Sequence, residues 1–463
     1  MIIITKPEVR KIALILGFLL VASFVFAGGQ GEDAEEETGK TEITYMCWYN
    51  TTQSESENTQ KIIDNFNNGQ DSIHVTMMAV PRSDYETKVN TLAAGNQLPD
   101  CSQLSEAMTI TFAAAGLLAD ISEMYPEDAK PLDSLAFQYK GKTVGYSSGN
   151  EVLLLYYNKK LFDEAGLEYP PAAAEEAWTW EEYIEAAKKL TKDRKGLTPN
   201  DPGFDYKNIL QYGTDFNRLW WMWPIVTYSN GGGLMSLDGK ELLIDKPESI
   251  EAMQKLADLH IKHHVAPSIG DKSTMPSLDL TLLTGKVAMA TSGQWEIGVT
   301  LANSVDEGLD YGVGVLPRMK KAITYNTGAP YGVFNSSDNK EAAMEFIRWY
   351  ASEENQWPII LNGTLMPIME TYYSSEDVMR TWADPDVTKT QRPDFDMYKT
   401  AVIDYASSNA IQVPWYFFEG YEGLSDVLES GIENVWNGNE TAEQYINSIM
   451  PQLQRYFNEH MAK

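Results

Sequence analysis

Short apolar runs alternate with amphipathic helical segments along the first part of the chain, and this order constrains the fold more than any other feature. Residues 43–48 and 73–77 have the composition of β-strands, and a helical stripe lies between them. Residues 85–94 have helical spacing, and another strand-like run opens at Pro99-Asp100. Alternation of this kind is typical of a parallel sheet with helices on its faces. The sequence therefore predicts an α/β fold.

The middle of the chain repeats this pattern. Residues 151–158 contain an unbroken apolar run, which suits a strand buried on both faces. Thr179 and Glu182 have the spacing of a capping box, so a helix is predicted to begin there. A length of 463 residues favours two large lobes or three smaller domains.

Charge and cysteine content exclude several classes of protein. With 36 basic and 66 acidic residues the net charge is −30, which argues against nucleic-acid binding because phosphate backbones need clustered Lys and Arg. The two cysteines exclude a disulfide-rich scaffold. Cys47 and Cys101 fall on neighbouring predicted strands, where a disulfide would be strained, so two buried free thiols are favoured over a disulfide.

The N-terminus has the pattern of an export signal. Basic residues precede an apolar stretch at 12–27, which is shorter than a membrane helix needs. We expect residues 1–27 to be a signal peptide, with an uncleaved membrane anchor as the alternative. Residues 28–40 carry a run of acidic side chains and are expected to form a disordered tether. This predicts a periplasmic or other extracytoplasmic location.

No motif for a cofactor is recognisable. The P-loop pattern is absent, and we expect no catalytic residues and no cofactor. His260, His263 and His264 have a spacing that could face a metal, but no acidic partner sits at a known metalloprotease spacing. A solvated helical turn is the favoured interpretation, and no metal site is expected.

Aromatic residues are abundant, and several follow predicted strand ends or turns, where α/β sheets bind ligands. Flat aromatic side chains cover the C–H faces of sugar rings, while carboxylates and amides bind the hydroxyls. The alternative is core packing, because Trp is usually largely buried. The candidates among the 12 Trp and 25 Tyr are Tyr49, Trp220, Trp221, Trp295, Tyr331 and Trp415.

Four segments, in this order, resemble the family 1 extracellular solute-binding proteins of bacterial ABC importers, whose best-known members bind maltodextrins. The segments are Leu92-Ala93-Ala94-Gly95 to Asp120; Tyr156-Tyr157-Asn158-Lys159-Lys160 to Glu182; Gly285-Lys286-Val287-Ala288-Met289 to Trp295; and Gly312-Val313-Gly314-Val315-Leu316-Pro317 to Phe346.

The resemblance implies a two-lobed periplasmic-binding-protein fold of type II, with a ligand cleft between discontinuous lobes. The expected N-terminal lobe comprises residues 41–150 and 320–372, and the expected C-terminal lobe comprises 151–319 and 373–463. The chain is then expected to cross between lobes near 151–155, 316–323 and 369–376.

The resemblance also implies ligand contacts. Glu151 corresponds to a cleft carboxylate, and Trp220, Trp221, Trp295 and Trp415 correspond to aromatic sugar contacts. Tyr49 and Asn50 lie in the loop after the first strand, which usually reaches the ligand. In the loop after Pro99-Asp100 only Glu106 is suited to bind a ligand, and this departure disfavours maltose itself.

Together these observations predict an exported, non-enzymatic binding protein of an ABC importer, expected to be a monomer, that captures a sugar or oligosaccharide and delivers it to permease subunits. Two alternatives stay open on the sequence. One is a secreted glycoside hydrolase or lyase, because the abundant carboxylates could supply a catalytic pair. The other is a binding protein for a different solute, such as a peptide, a polyamine or a polyol.

Overall fold

The computed structural model describes residues 39–49, 53–126 and 130–461. The described residues from Thr41 onward form one compact unit. The predicted signal peptide, all but the last two residues of the predicted tether, and Asn50 lie outside the described residues. Within the described part, no helix is both long enough and apolar enough to cross a membrane.

Thirteen strands are formed by the described residues. They are β1 (Thr41–Tyr49), β2 (Ile73–Pro81), β3 (Cys101–Gln103), β4 (Ala136–Tyr139), β5 (Lys142–Ser147), β6 (Glu151–Asn158), β7 (Lys192–Asp193), β8 (Ile209–Asp215), β9 (Val287–Gly293), β10 (Tyr311–Gly314), β11 (Thr324–Thr327), β12 (Pro330–Val333) and β13 (Ala410–Gln412).

The α-helices of the described residues range from single turns to the long C-terminal helix. They are α1 (Gln53–Gly69), α2 (Arg82–Ala94), α3 (Glu106–Ala114), α4 (Lys159–Ala165), α5 (Trp180–Leu190), α6 (Ile225–Ser229), α7 (Pro247–Ile261), α8 (Ile269–Ser273), α9 (Leu278–Leu283), α10 (Ala302–Asp306), α11 (Lys340–Tyr350), α12 (Glu353–Leu361), α13 (Glu376–Ala383), α14 (Pro385–Thr388), α15 (Phe395–Tyr398), α16 (Tyr405–Asn409), α17 (Tyr421–Glu429), α18 (Glu433–Trp436) and α19 (Ala442–Met461).

The first sheet has the strand order β2-β1-β3-β12-β5-β4. Its β1, β2 and β3 run parallel, as the alternation of strands and helices predicts. Side chains of β1 alternate between two cores: Tyr45 and Cys47 pack with the helix α11, whereas Met46 packs with α2 and α3. The sheet is thus covered by helices on both faces.

The second sheet has the order β13-β11-β6-β9-β8-β7, and β10 also pairs with β6. Strand β6 is buried over all but its first residue, which confirms the prediction from its apolar run. Val152, Leu154 and Tyr156 face one core, and Leu153 and Leu155 face the other. The predicted capping box of α5 is present: Thr179 accepts a hydrogen bond from the Glu182 N–H, and the Glu182 carboxylate accepts one from the Thr179 N–H.

Two connections between the sheets lie side by side. The chain leaves the first sheet after Ser147 and enters β6 at Glu151; it returns between Thr327 and Pro330. The Ser148 N–H donates to the Ala329 carbonyl at 3.0 Å. A Cβ on Gly328 would stand 2.4 Å from the Gly149 carbonyl oxygen, so the close approach of the two backbones requires glycine at 328.

The strand pairing revises the expected second crossing. We expected the chain to return to the first sheet at 316–323, but β11 pairs with β6 and β13 in the second sheet, so the return comes after Thr327. The local sequence is short and polar, and its parallel partner β13 lies far along the chain, so no local pattern marks this strand. A third segment lies beside the same connections, where the Asn150 N–H donates to the Met366 carbonyl at 3.2 Å. The lobe limits themselves remain a proposal.

The segment after β13 packs against the first sheet's lobe as well as the second. The Tyr416 hydroxyl donates to the Ala136 carbonyl at 2.9 Å, and the Tyr139 hydroxyl donates to the Glu419 carboxylate at 2.6 Å. Helices α17 and α19 pack together, and α19 packs on α7. This C-terminal segment therefore ties the two sheets together.

Cys47 and Cys101 are buried free thiols, which confirms the prediction made from their positions on neighbouring strands.

Candidate functional site

Two predicted carboxylates meet where the chain passes between the sheets. Glu106 is the first residue of α3, and Glu151 is the first residue of β6, directly after the first connection. One carboxylate oxygen of Glu106 accepts a hydrogen bond from the Gly328 N–H at 3.0 Å, and the other accepts one from the Trp415 indole N–H at 3.3 Å. Glu106 is thereby fixed to both the second connection and the C-terminal segment.

Burial and mutual repulsion keep protons on this pair. Burial raises the pKa of Glu106 to about 7, against the lowering effects of the Gly328 N–H, the Trp415 N–H and the Arg82 charge. Burial and the charge of Glu106 raise the pKa of Glu151 to about 8, while the Thr327 hydroxyl lowers it. At neutral pH the pair therefore holds protons that it can donate to a ligand, in addition to oxygens that accept hydrogen bonds.

An aromatic cluster adjoins the pair. Trp415 is fully buried, and its ring lies 5.6 Å from Trp220, 5.2 Å from Tyr421 and 5.4 Å from Tyr325, measured between centroids. Trp220 also contacts Tyr421 at 5.7 Å and is itself only half-buried. Trp220 therefore offers aromatic surface next to the carboxylates, with Trp415 behind it.

A second aromatic pair stands at the ends of two parallel strands. Trp221 follows β8 and Trp295 follows β9, and their rings lie 5.7 Å apart, both half-buried. The Trp295 ring covers Gly293, where a Cβ would come within 1.9 Å of it. The glycine two residues before this tryptophan thus allows the ring to fold back over the end of the strand.

The structure places the remaining predicted site residues in different environments. Tyr49 ends β1 and is half-buried, while Asn50 lies outside the described residues. The Tyr331 hydroxyl reaches Ser148 in the first connection, but the ring packs 6.5 Å from Tyr45 and 5.7 Å from Tyr350 in the core beneath α11. The sequence locates Tyr331 on a strand near a turn, but the face on which it lies depends on the register of β12, which the local sequence does not reveal.

Arg82 was missed by the sequence analysis. It begins α2, its guanidinium lies 4.9 Å from the Trp48 ring centroid and 3.2 Å from the Glu86 carboxylate, and its charge lowers the pKa of Glu106. Its position directly after the strand β2 could have identified it as a candidate, because residues at strand ends line the ligand crevice of α/β sheets.

Comparison with known proteins decides the family. The profile of the bacterial extracellular solute-binding protein family matches residues 50–357. The chain belongs to this family. Bacterial extracellular solute-binding proteins bind solutes and are not enzymes, so this chain is a solute-binding protein and the hydrolase alternative is wrong.

Individual relatives support this assignment. The sn-glycerol-3-phosphate-binding periplasmic protein UgpB of Brucella melitensis is 26% identical over 354 residues, covering 72% of this chain and 76% of the relative. The ABC substrate-binding protein Lmo0181 of Listeria monocytogenes, solved with cycloalternan, is 26% identical with a TM-score of 0.72, covering 90% of this chain and 99% of that one. Maltose-bound MalE3 of T. maritima shares the fold, with a TM-score of 0.69 at 22% identity over 89% of this chain and 99% of that one. These neighbours confirm the two-lobed α/β fold and an ABC importer binding protein.

Proposed function

We propose that this protein captures a neutral sugar or oligosaccharide between its lobes and delivers it to the permease of an ABC importer. The observation that carries the proposal is the Glu106–Glu151 pair beside the half-buried Trp220. Partly protonated carboxyls both donate and accept hydrogen bonds, as ring hydroxyls require, and an indole face covers the C–H face of a sugar. Trp221 and Trp295 supply a further aromatic surface of the same kind.

Lobe closure is the proposed mechanism, and no bond is made or broken. The two adjacent connections at 148–150 and 328–329 are short backbone segments that can absorb a change of angle between the sheets. A ligand that touches both lobes favours the closed form to the extent that it binds that form more tightly. The closed form is the one that the permease is proposed to recognise in the extracytoplasmic space.

A phosphate ester is the second candidate, favoured by the ligand named for the Brucella relative. The charge at the junction opposes it, because Glu106, with a pKa of about 7, is partly ionised at neutral pH and repels a phosphate dianion. The nearby cation, Arg82, is already engaged by Glu86 and Trp48. A neutral polyhydroxylated ligand meets no such penalty.

A ligand screen tests the proposed function. We expect one or more neutral mono- or oligosaccharides to raise the melting temperature of the purified protein at pH 7, since a ligand present at 100 times its Kd stabilises the folded state by about 2.7 kcal/mol. The panel includes glycerol 3-phosphate, a polyamine and a polyol as the competing classes. A melting temperature that rises with one of these and with no sugar would refute the proposal.

Trp295→Ala tests the aromatic surface. We expect it to weaken binding of the sugar identified in the screen by roughly 5- to 150-fold, because removing one stacked indole costs on the order of 1–3 kcal/mol. Calorimetric titration measures the change. Trp349→Ala is the matched control, since Trp349 is also half-buried but packs on Phe66 at 5.0 Å, away from the junction. Equal affinities of Trp295→Ala and the wild type would remove Trp295 from the site.

A further inference from the structure

A second concave site lies in the lobe of the second sheet, away from the carboxylate pair. A cavity of about 840 Å³ opens between the β7–β8 loop, the end of α7, α8 and the residues before β9. This volume is within the range of cavities that hold small molecules. We call it the basic cavity; the residues that define it here are Arg194, Tyr206, Lys207, His264, Asp271 and Lys286.

Positive charge dominates the lining although the chain as a whole carries −30. Arg194, Lys207 and Lys286 line the cavity, and within the described residues none of their charged side-chain nitrogens has a carboxylate oxygen within 4 Å; Asp205 accepts from the Lys207 backbone N–H instead. Asp271 is the acidic residue of the lining, and its carboxylate accepts hydrogen bonds from the Ser268 hydroxyl at 2.8 Å and the Tyr212 hydroxyl at 3.1 Å. The Asp271 carboxylate is thus hydrogen-bonded to residues of the same lobe, while the three cationic side chains remain available to an anion.

The rim carries an exposed aromatic surface. Tyr206 is 53% exposed, and its ring stacks on His264 at 4.5 Å with an interplanar angle of 18°. The Lys207 ammonium lies 5.8 Å from the same ring centroid. His264 has a φ of +55°, a left-handed conformation that costs energy for a residue with a side chain. The backbone thus holds an unfavourable conformation that places this imidazole against Tyr206.

Among the residues that the structure describes, no group of three His, Cys, Asp or Glu side chains is arranged to hold a metal ion. The His260 ring nitrogen Nδ1 lies 3.2 Å from the Ala266 carbonyl, and burial lowers the pKa of this histidine. The chemistry of the cavity is therefore dominated by Arg194, Lys207 and Lys286.

The basic cavity and the aromatic pair lie at opposite ends of the same two strands. Strands β8 and β9 are parallel; Ile209 and Lys286 at their amino ends line the cavity, whereas Trp221 and Trp295 follow their carboxyl ends. Each strand has seven residues, and at about 3.3 Å per residue the two ends are roughly 20 Å apart. One ligand of monosaccharide size cannot occupy both places.

We propose that the basic cavity is a second binding site that takes a small anion carrying phosphate groups, held by Arg194, Lys207 and Lys286. Arginine and lysine are the side chains best suited to phosphate oxygens, and charge-assisted hydrogen bonds are the strong ones. The concave shape favours a small anion or a lipid headgroup over a flat protein surface. This site is independent of the sugar site proposed above.

Calorimetry with pyrophosphate as the probe, at constant ionic strength, tests the proposal on the full chain. The double variant Arg194→Gln/Lys286→Gln should bind pyrophosphate at least tenfold more weakly than the wild type, because it loses two charge-assisted contacts. Lys142→Gln/Arg455→Gln is the matched control: both residues are exposed and lie outside the cavity lining, and the net charge changes by the same amount. The control should bind within twofold of the wild type.

Two further arms identify the source of the phosphate and separate the two sites. Cosedimentation with phosphatidylglycerol vesicles, against phosphatidylcholine vesicles, tests a lipid headgroup; binding to either probe that depends on Arg194 and Lys286 supports the proposal and names the source. Trp295→Ala should bind the probe as the wild type does, and Arg194→Gln/Lys286→Gln should keep its response to sugar. Binding to neither probe, or an equal loss in the control variant, would overturn the basic cavity as a phosphate site, whatever the outcome of the sugar screen.

Discussion

Replacement of Glu151 by glutamine should make the protein more stable at pH 8 and flatten the dependence of its stability on pH. The pKa of Glu151 is about 8 in the folded state, against 4.5 for an ordinary glutamate. The folded state therefore binds more protons than the unfolded chain between these values, so the free energy of unfolding falls as the pH rises from about 4.5 to 8. At 1.36 kcal/mol for each unit of pKa difference, the wild type should lose roughly 3 kcal/mol more than Glu151→Gln between pH 5 and pH 8.

Urea unfolding at pH 5, 6, 7 and 8 measures this difference. Burial also raises the pKa values of Glu106 and Glu429 to about 7, so these groups make the free energy of unfolding fall with pH as well. Glu151→Gln keeps both groups, so part of the pH dependence remains in the variant. Glu345→Gln is the control, because Glu345 is exposed on α11 and its replacement should leave the slope unchanged. If the wild type and Glu151→Gln have parallel curves, the carboxylate pair does not hold the protons assigned to it. Ligand affinity measured on the same variant then shows whether this carboxyl also contacts the sugar.

The parts of the fold that sequence analysis could predict are those with local causes. The apolar run of β6 predicts a strand buried on both faces, and the capping box marks the start of α5, because both depend on neighbouring residues alone. Strand β11 could not be predicted, since its identity as a strand comes from β6 and β13, which are distant in the sequence.

The candidate site divides in the same way. The family resemblance predicts Glu106 and Glu151 each as a ligand contact. It does not predict that they lie close together, because α3 and β6 come together only in the assembled fold. Tyr331 shows the opposite case, since a strand-end aromatic can face the cleft or the core and only the register of β12 decides between them. The basic cavity is lined by charged residues from separate loops and helices, and no contiguous sequence motif predicts it.

Trp415→Ala should lower the free energy of unfolding by about 4 kcal/mol, because it leaves a large cavity between the aromatic rings that surround the indole. Its indole is fully buried, contacts three other aromatic rings and donates to Glu106. Trp415→Phe keeps much of the ring but removes the N–H, so it should cost less, on the order of 1–2 kcal/mol. The phenylalanine variant should also raise the pKa of Glu106, since the lost hydrogen bond favours the ionised carboxylate.

The decisive comparison is with Trp382→Ala. Trp382 is equally buried and also donates its indole N–H, to the Tyr372 carbonyl at 3.1 Å, but it packs against Tyr373 and Tyr398 in the other core of the second sheet. Both alanine variants should lose similar stability in urea titrations at pH 7, because both delete a buried indole. Only Trp415→Ala should also weaken the binding of sugar, since Trp415 supports Trp220 and orients Glu106. If both variants kept the affinity of the wild type, the aromatic cluster would be a structural core alone, and the ligand surface would have to be sought at Trp221 and Trp295.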